Sequence, residues 1–290
     1  MHNLLEKLGY TPTDKLLIIH ADDAGLCYAE NRATKKALKE GIVNSYSIMV
    51  PCPWAYEMAT FAKENPAFDC GIHLTLTCEW KHYKFGPVLP ANEVPSLVDG
   101  NGHFYPKRAM MKENANPEEV KKELIAQVER ALSWGIQPTH LDSHMFTTGL
   151  TKGIIQVYRE VGKLFKIPIF LSRQLLNDFK MDTEQYLRET DFTIDNVFTG
   201  EWKWFEGEGL AAYYDWSLKN LKEGFNIILI HPAYDDAEMQ GVAIDHPNFG
   251  AAWRQCDLDY FTSNRTKNLI EKYNIKLITW SNLKAILHKD

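Results

Sequence analysis

The stretch KLLIIHADDAG, residues 15–25, sets an apolar run against a histidine and two adjacent aspartates. Four apolar residues, two of them β-branched, followed by a polar cluster read as a buried strand whose C-terminal end carries chemistry. Two carboxylates side by side repel, and such groups seldom enter an interior without a partner. The pair is therefore either a solvated turn or the seat of a cation.

The same rhythm continues along the chain. IVNSYSIMV, FDCGIHLTL, PTHLDSH, IPIFLS, FNIILIHP and IKLITW read as further strands. Helical patterns lie between them, most plainly NPEEVKKELIAQVERALSWG, which has an acidic first turn behind Pro117. LDYFTSNRTKNLIEKY reads as one helix. About seven βα units in succession imply a parallel sheet covered by helices. No G-x-G-x-x-G follows the first strand, which removes the usual dinucleotide reading. The expected fold is α/β, an irregular (β/α) barrel of about seven parallel strands resembling a TIM barrel, with residues 1–290 forming one domain. Long insertions at about 78–116 and 174–208 break the rhythm, and loops of that length often serve as lids or binding walls.

The chain of 290 residues is 45% hydrophobic and 24% charged, with a formal net charge of −6. That balance, without a basic run, speaks against nucleic acid or an anionic membrane as partner. No apolar run approaches the roughly 20 residues needed to span a bilayer. The opening MHNLLEKLGYTPTDK has neither a basic start nor an apolar core, so a cytoplasmic protein is expected. Five cysteines without a CxxC argue against a disulfide framework. Cys27 and Cys78, near the polar motifs, read as packing residues. A homodimer is the default expectation for assembly.

Position carries the functional signal. His20, Asp22 and Asp23 follow the first strand, His73 lies in the third, His140, Asp142 and His144 close the fourth, and His231 ends a later one. In parallel α/β folds the C-terminal strand ends share one face, where active sites form. Two or three imidazoles with a carboxylate suit one divalent metal ion, zinc or magnesium, with positions left for water. One aspartate could then ligate while its neighbour handles a proton. His140 and Asp142 alternate with His144, so His140 either replaces or supplements it or, with Asp142 orienting an imidazole, stands behind the ligands. Trp80, Trp202 and Trp204 are candidates for stacking on the rings of a substrate, while His82, His103 and His246 read as surface residues.

In that order and spacing, HADDAG, GIHLTLT, PTHLDSH and ILIHPAY resemble the YdjC-like carbohydrate deacetylases, the chitooligosaccharide deacetylase family, over about residues 15–285. The resemblance implies a distorted (β/α) barrel, a divalent metal held by one aspartate and two histidines, and hydrolysis of N-acetyl groups on sugars. By motif, Asp23, His73 and His144 would hold the metal, Asp22 would be the general base and His231 the general acid. Arg173 matches the arginine that the family carries near substrate or base. The chain departs from the family pattern in three places. Met145 and Phe146 stand where histidines commonly follow DSH, Ala233 replaces a glycine after HP, and His20 replaces an asparagine before ADD. Two other readings are a metallohydrolase of another bond, such as a phosphoester, and a carbohydrate-binding barrel without turnover. The first is disfavoured by the few cationic residues at the rim, the second by the retention of Asp22 and of all three implied metal ligands.

Overall fold

Leu16 to Ala24, buried throughout, belong to β1 (Lys15–Ala24), the strand from which the rest of the sheet extends on both sides. The computed structural model describes residues 2–287. The other strands are β2 (Ser45–Ile48), β3 (Asp69–Leu74), β4 (Leu141–Ser143), β5 (Asn196–Thr199), β6 (Gly224–Ile230) and β7 (Lys276–Leu277). All pair in parallel in the order β4-β3-β2-β1-β6-β5, and β7 pairs with the first residues of β1. Single bridges from Leu141 to Ile169 and from Ser172 to Ile194 continue the sheet from β4 toward β5. The sheet thus curls on itself as an irregular, TIM-barrel-like α/β fold.

Two strand expectations shift. IPIFLS contributes only those single bridges, and β5 lies inside the 174–208 stretch that the sequence marks as irregular. The expected helix at 258–273 is two helices, Ala251–Phe261 and Asn264–Lys272. Ser263 separates them by accepting the Thr266 N–H on its hydroxyl, a local N-cap that competes with helix continuation.

Strand alternation sorts β1 onto two layers. Leu17, Ile19 and Ala21 pack outward under the helices, whereas Leu16 and Ile18 join Phe170, Val197, Phe225, Ile227 and Trp280 in a separate apolar plug. Continuing that period of two places His20 and Asp22 above the plug, on the inner face. The partner strands obey the same rule. Tyr46, Ile48, Ile72 and Leu141 pack outward, leaving Ser45, Ser47, His73 and Asp142 on the polar upper layer.

The 78–116 insertion is anchored to the long helix Pro117–Ser133. The buried Glu123 carboxylate of that helix accepts the backbone N–H groups of Val88 and Leu89 at 2.8 and 3.1 Å. Among the described residues no helix is long and apolar enough to cross a membrane.

Gly25 marks the turn out of β1. Its φ of +95° suits glycine, and a Cβ there would lie 2.9 Å from the Ala55 Cα. Gly25→Ala is expected to destabilise the fold by about 1–3 kcal/mol, read as a lower urea midpoint. An unchanged midpoint would contradict this packing.

Candidate active site

An undistorted strand sends neighbouring side chains to opposite faces, so Asp22 and Asp23 should diverge. The β1–β2 register slips between Ala21 and Ala24, and Asp23 adopts φ +60°. Aspartate tolerates this left-handed conformation better than most residues. The irregularity re-aims Asp23, and both carboxylates line a single cavity of about 430 Å³ at the C-terminal end of the strands.

Three side chains converge there. The Asp23 Oδ1 lies 3.3 Å from His73 Nε2 and 3.1 Å from His144 Nδ1. One ligand atom from each residue falls within 4.8 Å of the other two. All three are buried and border the cavity, so the set has the donors of a catalytic divalent site and room for further ligands. His20, His140 and Asp142 form another group with ligand spacing, but neither His20 nor His140 reaches the cavity.

The electrostatics show how strongly this spot attracts positive charge. Burial works against a charged His144, yet Glu79 and Asp23 outweigh it and hold the ring up at about 9. His73 likewise rises well above its ordinary value, with Asp142 and Asp22 overcoming burial. Burial would raise Asp23, but His144 and Arg254 keep its carboxyl well below the usual range.

Supporting contacts fix these groups. Asp142 Oδ1 sits 3.0 Å from His73 Nδ1, which leaves Nε2 turned toward Asp23. The Ser47 hydroxyl donates to Asp142 Oδ2 at 2.8 Å, and His20 Nε2 lies 2.8 Å from Asp142 and 3.1 Å from Asp22. His231 Nε2 is 3.6 Å from Asp22 Oδ2, and the His231 backbone N–H donates to Asp257 at 2.9 Å. Burial pushes the His231 ring down to about 4.

The structure places the remaining candidates elsewhere. Arg173 opens the short helix Arg173–Asp178 and points into solvent, paired with Glu184 at 2.9 Å and outside the cavity. Trp80 is fully buried, with its ring centroid 5.4 Å from the Arg254 guanidinium and 5.1 Å from the His246 ring, so it offers no face to a sugar. Trp202 stacks on Trp253, and Trp204 packs on Tyr213 and Trp216. His140 stacks on Trp280 and stands 3.8 Å from Asp142, so it supplements no ligand at the cavity. His246, expected at the surface, borders the cavity.

Sequence reasoning missed Arg254 and Glu79. Arg254 donates to Asp23 Oδ2 at 2.7 Å and to Glu30 at 2.6 Å while buried. Nothing in AAWRQ distinguishes such an arginine from a surface one. Glu79, 2.9 Å from His144 Nε2, lay in view six residues beyond His73.

Residues 16–272 match the family model described as YdjC-like protein. A carbohydrate deacetylase of Thermoanaerobacter pseudethanolicus is 28% identical over 271 residues, covering 93% of this chain and 100% of its own length. A carbohydrate deacetylase of Thermus thermophilus is 30% identical over 265 residues, with 89% of each chain covered. A chitooligosaccharide deacetylase of Yersinia enterocolitica is 29% identical over 278 residues, covering 92% and 99%. A crystal structure from Enterococcus faecalis V583, described as a cellobiose-phosphate cleavage protein, superposes with a TM-score of 0.75 at 26% identity, covering 93% of this chain and 99% of its own.

Replacing Arg254 leaves two buried carboxylates without their cation. Arg254→Met is expected to cost about 3–5 kcal/mol of unfolding free energy. A loss below about 1 kcal/mol, the size of an exposed ion pair, would show that Asp23 does not depend on it.

Proposed function

This chain belongs to the YdjC-like family, and from that membership and the cavity's geometry we propose that it removes the N-acetyl group from an amino sugar or oligosaccharide with the help of one divalent metal ion. Several relatives are named carbohydrate or chitooligosaccharide deacetylases. The observation that carries the proposal is the convergence of Asp23, His73 and His144 at the cavity floor with Asp22 beside them. Two imidazoles in the donor set favour zinc, or another first-row ion, over magnesium.

When bound, such an ion lowers the pKa of a water and polarises the amide carbonyl. Asp23, His73 and His144 would hold it. Asp142 keeps the His73 ring in its ligating orientation, and Arg254 occupies one oxygen of Asp23 while the other faces the imidazoles. Asp22 is left to accept the proton of the attacking water as the new C–O bond forms. His231 stands 3.6 Å from Asp22, in reach of the proton it must pass to the leaving nitrogen as the C–N bond breaks. Acetate and the free amine are the products. Asp257, accepting from both the His231 backbone N–H and the Tyr214 hydroxyl, fixes the backbone that presents the imidazole.

Chelation is expected to abolish acetate release from N-acetylglucosamine oligomers, and zinc to restore it. Phosphate rather than acetate release from phosphorylated sugars would identify a phosphoesterase instead. Asp22→Asn should lower turnover by about 100- to 10,000-fold yet retain metal by elemental analysis, whereas His144→Ala should lose the metal. Metal loss in Asp22→Asn would show the two aspartates to have exchanged roles.

A further inference from the structure

One buried imidazole of the HADD motif belongs neither to the metal-binding set nor to the proton transfers. His20 is fully enclosed in β1, opposite Ser45 on one side and Leu229 on the other, and its ring lies outside the cavity. Its Nδ1 is 2.8 Å from the Ser45 hydroxyl. Its Nε2 meets three oxygens, Asp142 Oδ2 at 2.8 Å, Asp22 Oδ1 at 3.1 Å and Ser47 Oγ at 3.1 Å. The Ser47 hydroxyl already donates its hydrogen to Asp142, and ionised carboxylates only accept. Nε2 must therefore carry the hydrogen that these oxygens share. Burial opposes a charged ring, but Asp142 and Asp22 outweigh it and raise its pKa to about 9.

The ring is wedged in place. His140 packs edge-on against it with centroids 5.0 Å apart, and is itself stacked on Trp280 at 4.9 Å. Gly71 makes room for that wedge, since a Cβ there would lie 2.4 Å from the His140 ring. Asp22, by contrast, is weakly held elsewhere. Its Oδ1 is buried, and no aligned hydrogen bond from a described residue satisfies it. The nearest imidazole nitrogen is His20 Nε2. His73 Nδ1 is next at 3.7 Å and is engaged with Asp142. Asp22 Oδ2 faces the other way, toward His231 at 3.6 Å. A buried carboxylate oxygen is costly unless a donor serves it, and His20 is the donor in reach.

We propose that His20 is a positioning residue for the general base: its Nε2–H holds Asp22 by Oδ1, so that Oδ2 is the oxygen left to take the proton of the attacking water. An asparagine, which the family pattern carries at this place, ends near the position of Nδ1 and stops short of Asp22. The contact therefore comes with the histidine. The inference rests on the deacetylase reading for the proton that Asp22 accepts, whereas the hold of one side chain on the other stands on its own geometry.

Acetate release from N-acetylglucosamine oligomers is to be measured with the zinc-loaded protein. His20→Asn should lower kcat by about 10- to 100-fold, the size of a small misplacement of a reacting group, with KM and zinc content unchanged. His20→Gln, whose amide N–H reaches the place of Nε2, should recover most of that loss. In the Asp22→Asn background His20→Asn should cost less than about twofold, because the group it positions is gone. A purely structural role would lower kcat alike in both backgrounds. An unchanged kcat in His20→Asn, loss of its zinc, no recovery by His20→Gln, or equal losses in the two backgrounds overturns the inference and leaves the deacetylase reading intact. If the unmodified protein releases no acetate, that reading fails, and a crystal structure of the zinc-loaded protein decides the contact. The same structure decides it if the variants do not fold. Asp22 Oδ1 within hydrogen-bond reach of His20 Nε2 supports the inference, and a carboxylate turned away from His20 overturns it.

Discussion

The structure turns on one buried carboxylate. Asp23 is held on one oxygen by Arg254 and faces His73 and His144 with the other. A lone ionised carboxylate in such a place would be prohibitively desolvated. Shared among a guanidinium and two imidazoles it is stable, and the same sharing defines a point where a cation fits. The slipped register at the end of β1 is what brings Asp23 to that point, so a backbone irregularity and an electrostatic need are solved together. It also accounts for two adjacent aspartates, since Asp23 is committed to the imidazoles and the arginine while Asp22 stays beside them facing His20 and His231.

Beneath them the barrel is layered. Leu16, Ile18, Phe225 and Trp280 fill the lower interior, and Ser45, Ser47, His20 and Asp142 form a polar tier above it. Each member of that tier is hydrogen-bonded to another, as buried polar groups require. The tier fixes the rotamers above it, because Asp142 touches His73 directly and His20 spans Asp142 and Asp22.

Much of this was legible in the sequence because its signals are local and periodic. Apolar β-branched runs ending in His and Asp marked the strands and the face carrying the candidate site. What stayed hidden depends on contacts between distant segments. β5 lies in a stretch whose alternation is weak, and IPIFLS forms only single bridges where the sheet curls. Arg173 follows a strand as the pattern demanded, but Ser172 starts a helix that turns it outward. Arg254 comes from a late helix, and nothing in one chain segment announces an arginine buried by another. Trp80 illustrates the reverse, an aromatic in a suggestive place whose burial beneath Arg254 and His246 removes it from the cavity.

The geometry gathers the candidate donors at the C-terminal ends of the strands, and the donor set makes the claim specific to a few atoms. Anomalous diffraction from crystals of this protein soaked with zinc tests it most directly. The account predicts a peak bonded to Asp23 Oδ1, His73 Nε2 and His144 Nδ1, facing the cavity. A peak instead among His20, His140 and Asp142, or none at Asp23, would contradict it.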